Sequence, residues 1–170
     1  EQLEPVRRTV ALKLLHAQRL DARHLAYFEV ERQLLAQMRH PAIAHVYDAD
    51  TTADGYPFFA MEFIAGSPIT RWCDEHALPL AERIALFIRV CEGGQHAHQK
   101  GVIHRDLKPG NLLVDEVDGR ALPKIIDFGI ATATSLTEGR EVAGTPDYMS
   151  PEQAVGDQAL IDTRSDVYAL

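Results

Sequence analysis

The sequence predicts an α+β fold made of two lobes that meet at a cleft. Residues 1–64 have the patterns of strands with one helix among them, and residues 64–68 (I-A-G-S-P) have the composition of a linker. Residues 65–170 have mostly helical patterns with short strands. We therefore expect a partial first lobe at 1–64, a partial second lobe at 65–170, and a cleft at the linker. A chain of 170 residues, of which 46% are hydrophobic, can bury a core.

The first lobe begins with a predicted strand at residues 9–15 (T-V-A-L-K-L-L), whose two faces are both apolar. Alternation along the strand gives one face with Val10, Leu12 and Leu14 and another with Ala11, Lys13 and Leu15. Residues 22–39 form a predicted helix, because apolar residues recur there at helical spacing: Leu25, Phe28, Leu35 and Met38. Strands are predicted at 43–50 and 56–63, joined by a hairpin turn with Asp54-Gly55 at its centre.

The second lobe is predicted to contain a long helix from Pro79 to about Lys100, which ends at Gly101. One side of this helix carries Ile84, Phe87, Ile88 and Cys91. Gly93 and Gly94 lie inside it at a cost of about 1 kcal/mol each relative to alanine, and nothing in the sequence explains them. Further along the chain we expect short strands at 102–103, 112–114 and 123–126, a turn at 117–119, and a long loop at 130–147.

Charge and composition narrow the functional classes. The formal net charge of −8 and the lack of a basic stripe exclude a nucleic-acid-binding surface. The two cysteines match no metal or redox motif, which favours reduced thiols in a cytoplasmic protein. The sequence contains no apolar run long enough for a membrane span, so we expect membrane contact only through segments outside this chain. Because the chain starts with Glu1 and stops in an apolar run, we expect both ends to be cut from a longer protein.

Two charged residues of the first lobe stand at positions where apolar residues are expected. Glu31 lies on the apolar side of the predicted helix, three residues after Phe28, and Lys13 projects from a strand without a polar face. A buried carboxylate is costly unless a cation meets it, so one ion pair between Lys13 and Glu31 would account for both. The alternative is that Lys13 extends to water and that Glu31 lies at the edge of its apolar stripe.

The second lobe contains two polar clusters between apolar runs. H-R-D-L-K-P-G-N at 104–111 brings Asp106, Lys108 and Asn111 into one loop, and I-I-D-F-G at 125–129 places Asp127 at the end of a buried strand. The carboxylate of Asp127 and the amide oxygen of Asn111 are suitable ligands for a divalent metal ion. Considered alone, D-F-G is also typical of a simple turn.

Taken in order, these features form a known set. A lysine in V-A-x-K is followed by a helical glutamate, then H-R-D-x-x-x-x-N, D-F-G and S-P-E, which is the protein-kinase signature except that the last motif usually reads A-P-E. The chain therefore resembles the catalytic domain of protein kinases over essentially its whole length. The segment G-T-P-D-Y-M-S-P-E-Q at 144–153 is most similar to bacterial kinases of the eukaryotic Ser/Thr type.

This resemblance implies a bilobal kinase-like fold and transfer of the γ-phosphate of ATP, bound with Mg²⁺, to Ser or Thr hydroxyls of protein substrates. The implied catalytic residues are Asp106, Lys108, Lys13 and Glu31. The implied nucleotide-binding residues are Lys13 for the α- and β-phosphates and, around adenine, Ala11, Met61, Glu62, Ile64 and Leu113. The implied metal ligands are Asn111 and Asp127.

The resemblance also implies supporting roles. His104 is expected to pack against Phe128, in a column continued by Leu35 and Val46. Asp166 is expected to accept backbone N–H bonds from the catalytic loop, and Thr145 to contact Asp106 and Lys108. Arg105 is expected to pair with a phosphate on one of four hydroxyl residues: Thr132, Thr134, Ser135 and Thr137. We assign core or capping roles to His96 and His98, because residues two apart on a helix point to different sides.

The sequence also departs from the family. Residues 1–8 contain no glycine, so the G-x-G-x-x-G loop that covers the ATP phosphates is missing here, and Glu152 lacks the arginine partner it has in the family. We therefore expect the isolated chain to transfer phosphate weakly or not at all. Two other interpretations stay open: a pseudokinase that binds or scaffolds without catalysis, and a small-molecule phosphotransferase, which would lack a segment like 144–153.

Overall fold

The computed structural model describes residues 8–15, 22–128 and 144–170. Eleven helices and strands lie within these ranges: β1 Val10–Leu14, α1 Ala22–Ala36, β2 Val46–Thr51, β3 Pro57–Glu62, β4 Ser67–Pro68, α2 Ile69–Glu75, α3 Leu80–Gln99, β5 Leu112–Val117, β6 Arg120–Ile125, α4 Pro151–Val155 and α5 Thr163–Ala169. Two 3₁₀ turns are present at Pro109–Asn111 and Pro146–Tyr148. The strand-rich part precedes the more helical part, which confirms the predicted α+β class.

The first sheet is antiparallel, with the strand order β1-β3-β2. Phe59 of β3 is fully buried, and its ring packs edge-to-face on Phe28 of α1 with the ring centroids 4.9 Å apart. Lys13 stands opposite Phe59 in the strand register and therefore lies on the same face of the sheet. Helix α1 thus covers the face from which Lys13 projects.

The opposite face of β1 requires a correction, because both faces of this strand were expected to be apolar and buried. The side chains of Val10, Leu12 and Leu14 are 36%, 58% and 54% exposed. The prediction was wrong because α1 packs on the Phe59 face only, and among the described residues no element covers the other face. Alternation shows which residues share a face but not whether that face is covered.

The predicted hairpin turn and the predicted turn at 117–119 are both confirmed, and the second is a hairpin turn as well. Between β2 and β3, the N–H of Thr52 donates to the carbonyl of Tyr56 at 2.8 Å, and Gly55 has a φ of +86°. Between β5 and β6, Asp118 and Gly119 have φ values of +53° and +73°, as a two-residue hairpin turn with both φ angles positive requires. The second sheet, of order β4-β5-β6, is built on this hairpin.

The predicted strand at 102–103 is absent, and this segment instead caps α3. Gly101 adopts a φ of +75°, its N–H donates to the carbonyl of His98, and the N–H of Val102 donates to the carbonyl of Ala97. This pair of bonds is the Schellman motif, which satisfies the last carbonyls of a helix. Gly101 therefore ends the helix as predicted, but the apolar pair after it serves the helix end and not a sheet.

Helix α3 buries a different side from the one that its large apolar residues indicate. Ile84, Phe87 and Ile88 are 48%, 37% and 51% exposed, whereas the buried side carries Leu86, Val90, Gly93, Gly94 and Ala97. A Cβ atom at Gly93 would lie 3.0 Å from Cδ1 of Ile125 and 3.2 Å from Cβ of Ala42. Close packing of α3 on β6 therefore explains Gly93, while nothing in the described structure explains Gly94.

The segment between α1 and β2 joins the two halves of the chain. The N–H of Ile125 donates to the carbonyl of Ala42 at 2.8 Å, and the N–H of Ala44 donates to the carbonyl of Ile125 at 2.9 Å. These two bonds attach the end of β6 to the first half of the chain, so the residues after Ile125 lie next to β1. None of the described helices combines the length and the apolar character needed to cross a bilayer.

Candidate active site

Asp106 is the centre of a hydrogen-bonded cluster in the loop between α3 and β5. Its carboxylate oxygen Oδ2 accepts from Nζ of Lys108 at 2.7 Å and from Nδ2 of Asn111 at 3.2 Å. Its other oxygen, Oδ1, accepts from the hydroxyl of Thr145 at 2.9 Å, and that hydroxyl itself accepts from Nζ of Lys108 at 2.6 Å. The predicted contacts of Thr145 are therefore confirmed, and the carboxylate is held in one orientation.

The same cluster sets the charge state of Asp106. Partial burial by itself would raise the pKa of Asp106, but hydrogen bonds from Lys108, Thr145 and Asn111 outweigh it and hold the pKa below its ordinary value. The carboxylate is therefore ionised near neutral pH and can accept a hydrogen bond or a proton from a hydroxyl placed against it.

Asp166, which is 1% exposed, supports the loop from α5. Its oxygens accept from the backbone N–H groups of His104 and Arg105, both at 2.8 Å, which confirms the predicted role. The ring Nε2 of His98 lies 2.8 Å from Oδ2 of Asp166. The sequence predicted only a core or capping role for His98, and no sequence signal pairs these two residues, which are 68 positions apart.

His104 is 1% exposed and packs on Phe128 with the ring centroids 4.8 Å apart, as predicted. Leu35, Val46 and Phe128 line one small pocket, in agreement with the predicted column. Burial lowers the pKa of His104, so its ring is neutral at neutral pH. The ring donates from Nε2 to the carbonyl of Ile126 at 2.9 Å and accepts the N–H of Asp106 at Nδ1 at 3.3 Å.

Lys13 forms an ion pair with Asp127, with 3.1 Å between Nζ and Oδ1. The two backbone bonds of Ile125 to Ala42 and Ala44 explain this pair, because they bring the end of β6 next to β1. Asp127 follows β6 by two residues and adopts a φ of +62°. Glu31 belongs to α1, but its side chain lies outside the part of the chain that the structure describes. The pairing of Lys13 with Glu31 therefore stays a prediction.

A cleft of about 400 Å³ opens between β1, the linker and the second sheet. Its lining includes all six residues predicted for the nucleotide: Ala11, Lys13, Met61, Glu62, Ile64 and Leu113. Asp127 lines it too, so the Lys13–Asp127 pair faces the same space. This volume is within the range of small-molecule sites, about 300–1,000 Å³.

The side chain of Glu62 has a structural role that the sequence did not predict. Its Oε2 atom accepts from Nζ of Lys124 at 2.9 Å and from the N–H of His45 at 3.0 Å. These bonds fasten the last residue of β3 to β6 and to the segment before β2. One feature of the sequence could have indicated this ion pair: Lys124 is a charged residue at the otherwise apolar end of a strand, and such a residue needs a partner of opposite charge.

Segment 144–153 contacts both the loop at 104–111 and α5. The hydroxyl of Ser165 donates to Oε1 of Glu152 at 2.5 Å, and the expectation that Glu152 lacks an arginine partner stays a prediction. This bond also lowers the pKa of Glu152. The four hydroxyl residues expected to pair with Arg105 when phosphorylated lie outside the described residues: Thr132, Thr134, Ser135 and Thr137.

The predicted metal ligands offer the right chemistry for Mg²⁺. Nδ2 of Asn111 is bonded to the backbone oxygen of Asp106 at 2.8 Å, which directs the amide oxygen of Asn111 away from Asp106. The described residues contain no group of three or more His, Cys, Asp and Glu that could hold a metal. Mg²⁺ is usually held by only one or two protein carboxylates together with phosphates and water, so Asp127 and Asn111 fit it.

Comparisons with known proteins agree with this geometry. The model of the protein kinase domain family matches residues 4–170. The serine/threonine-protein kinase PknB of Mycobacterium leprae is 38% identical over 172 residues, which cover 96% of this chain and 27% of that protein. The DNA damage-responsive serine/threonine-protein kinase RqkA of Deinococcus radiodurans is 38% identical over 170 residues, which cover 96% of this chain and 25% of that protein.

Solved structures are similar as well. The crystal structure of the PknI kinase domain of Mycobacterium tuberculosis superposes with a TM-score of 0.69 at 29% identity, covering 94% of this chain and 59% of that one. The fold and the site thus define a protein-kinase-like α+β domain. The chain belongs to the protein kinase domain family. It spans about a quarter of the length of the curated relatives named above.

Proposed function

We propose that the protein containing this chain is a Ser/Thr kinase that transfers the γ-phosphate of ATP to hydroxyls of protein substrates. The observation that supports this most directly is the arrangement around Asp106, where an ionised carboxylate lies within hydrogen-bond distance of Lys108, Thr145 and Asn111. Such a cluster suits phosphoryl transfer, in which catalysis is mostly positioning and charge stabilisation. The names of the relatives support the same activity.

The role of each loop residue follows from its contacts. Asp106 would orient the attacking Ser or Thr hydroxyl and accept its proton, because its carboxylate is ionised and is held in one orientation by donors at both oxygens. Lys108 would place its positive charge against the transferring phosphoryl group while its bond to Asp106 keeps it in place. Thr145 would connect segment 144–153 to both Asp106 and Lys108.

The nucleotide would occupy the cleft behind this loop. Ala11 and Leu113 would contact the two faces of adenine, with Met61 at the back, and the backbones of Glu62 and Ile64 would meet its polar edge. Lys13 would hold the α- and β-phosphates, oriented by Glu31 as the sequence predicts. Asn111 and Asp127 would hold Mg²⁺, which when bound neutralises phosphate charge.

We extend the proposal to the organisation of the chain and its setting. Residues 1–64 and 65–170 would form partial first and second lobes, with the linker as their hinge. We also propose a cytoplasmic domain that acts on protein substrates and not on nucleic acid, with membrane contact only through segments outside this chain. The net charge of −8 supports the exclusion of nucleic acid.

The test is transfer of labelled phosphate to a Ser- and Thr-containing protein by the full-length protein with ATP and Mg²⁺. We expect transfer by the wild type and a loss of at least about 10²-fold in Asp106→Asn, since removing the proton acceptor removes a contribution of about 10²–10⁴-fold. Asp54→Asn, in the exposed β2–β3 turn, is the matched control and should behave as the wild type. Equal transfer by wild type and Asp106→Asn would refute the role of Asp106. No transfer by the wild type under any condition would favour the pseudokinase alternative, for which no described residue gives support.

A further inference from the structure

The residue immediately before Asp106 adopts a backbone conformation that residues other than glycine rarely take. Arg105 has a φ of +67°. Such a conformation persists only where the surroundings hold it in place. On one side, the N–H of Arg105 donates to Oδ1 of Asp166 at 2.8 Å. On the other side, the carbonyl oxygen of Arg105 accepts from Nε2 of Gln153 at 2.6 Å.

Gln153 is 4% exposed, and both ends of its side-chain amide are bonded. Its Oε1 accepts from the backbone N–H of Ser150 at 3.2 Å and from the hydroxyl of Ser150 at 3.1 Å. Ser150 is itself fully buried and caps α4. The amide has only one satisfactory orientation, because a flip would face its NH₂ group towards the N–H of Ser150 and its oxygen towards the carbonyl of Arg105.

The carbonyl that Gln153 holds belongs to the peptide group that carries the N–H of Asp106. That N–H is bonded to Nδ1 of His104 at 3.3 Å, so the peptide group preceding Asp106 is held at both of its polar atoms. A rotation about the ψ angle of Arg105 would turn this group and move the Cα atom of Asp106, and with it the carboxylate. Thr145, which holds Oδ1 of Asp106, comes from the same segment as Gln153. Segment 144–153 therefore holds Asp106 in two ways, through its side chain and through the peptide group that precedes it.

From these contacts we propose that Gln153 is a positioning residue for Asp106: it couples the start of α4 to the peptide group that orients the Asp106 carboxylate. The proposal rests on the proposed kinase activity. Gln153 does not line the cleft assigned to the nucleotide. Its loss should therefore slow the phosphoryl-transfer step without weakening the binding of ATP.

The experiment measures the single-turnover rate of phosphate transfer, the KM for ATP and the melting temperature of the full-length protein. Gln153→Met keeps the length of the side chain but removes both the donor to Arg105 and the acceptor for Ser150. Gln153→Glu keeps an acceptor for Ser150 but turns a carboxylate oxygen towards the Arg105 carbonyl. Gln95→Glu, on an exposed position of α3, makes the same change of charge away from the site and serves as the matched control.

We expect the single-turnover rate to fall about tenfold in Gln153→Met and up to about 10²-fold in Gln153→Glu, the scale of a misplacement of about 1 Å. The KM for ATP should stay within about twofold of the wild type in both variants, as expected when an interaction is lost in the transfer step alone. Gln95→Glu should change none of these quantities.

A wild-type rate in folded Gln153→Met overturns the proposal and leaves the kinase assignment intact. So does an equal loss of rate and of ATP binding, which would show general damage to the domain. If Gln153→Glu does not fold, Gln153→Met decides the question. If neither variant folds, Gln153 is structural and the proposal is wrong. Absence of transfer by the wild type itself removes the kinase assignment and this proposal together.

Discussion

Substitutions of Asp166 test directly how the loop at 104–111 is held in place. Its carboxylate is 1% exposed and accepts three hydrogen bonds, from the backbone of His104, the backbone of Arg105 and the ring of His98. In Asp166→Ala the two backbone donors stay buried and lose their acceptor. In Asp166→Asn one oxygen remains, so the two substitutions should differ in a way that identifies each bond.

The size of the effect follows from these bonds. A hydrogen bond to a charged group contributes about 1.5–3 kcal/mol, and an unsatisfied buried donor costs about 1–3 kcal/mol. Because both amides share one carboxylate, their losses are not additive, and we expect Asp166→Ala to destabilise the loop by roughly 3 kcal/mol. A change of about 1.4 kcal/mol is tenfold in an equilibrium, so exchange of the affected amides should accelerate by roughly 10²-fold.

The assay is hydrogen–deuterium exchange of the amides of His104 and Arg105 in the full-length protein. In Asp166→Asn the new NH₂ group should take the place of Oδ2, because the ring of His98 can change tautomer and accept from it there. The Arg105 amide should then stay protected while the His104 amide exchanges faster. Asp50→Asn, on the exposed surface of β2, is the control. Unchanged exchange of both amides in Asp166→Ala would refute the view that this carboxylate holds the loop.

Three further predictions concern packing and pH. Gly94→Ala should raise the free energy of unfolding by about 0.5–1 kcal/mol, since a Cβ there meets no atom within 4 Å. Gly93→Val should lower the free energy of unfolding by about 1–3 kcal/mol, because the larger side chain overpacks the contact of α3 with β6. Denaturant melts that reverse this order would contradict the packing described. The pKa of His104 is lowered in the fold by burial, so the unfolded chain takes up a proton more readily. The free energy of unfolding should therefore fall as the pH drops below about 6.5, the ordinary pKa of histidine, and this residue contributes at most about 1.4 kcal/mol per pH unit. If His104→Asn showed the same pH dependence of the free energy of unfolding as the wild type, this prediction would be wrong. Thr145→Val removes the hydrogen bond from the Thr145 hydroxyl that lowers the pKa of Asp106, so the acidic limb of the pH profile of the single-turnover rate should shift to higher pH. An unshifted limb would mean that Thr145 does not lower the pKa of this carboxylate.

The polar residues of the loop at 104–111 could be predicted because they are local in sequence. Asp106, Lys108 and Asn111 lie within six positions, so a short loop brings their side chains together whatever surrounds it. The supporting pairs could not be found in this way. His98 and Asp166 are 68 positions apart, and Gln153 and Arg105 are 48 apart, so only the packing of α3, α4 and α5 around the loop brings them into contact.

The errors about burial have a related origin. Periodicity grouped Val10, Leu12 and Leu14 on one face of β1, and the structure keeps them on one face, but it leaves that face exposed. In α3 the large apolar side chains mark one side of the helix, while the helix packs through the side that carries Gly93. A hydrophobic pattern records which residues share a side, and close packing can prefer the side with the smallest residues.

The sequence by itself determined the α+β class, the turns after β2 and β5, the stop of α3 at Gly101 and the composition of the loop at 104–111, because each depends on neighbouring residues and on backbone preferences. Only the tertiary structure decided that Lys13 meets Asp127, that Lys124 fastens Glu62, and that Gln153 holds the carbonyl before Asp106. These contacts join residues distant in the chain, and their formation depends on how helices and sheets pack once the whole domain has closed around its core.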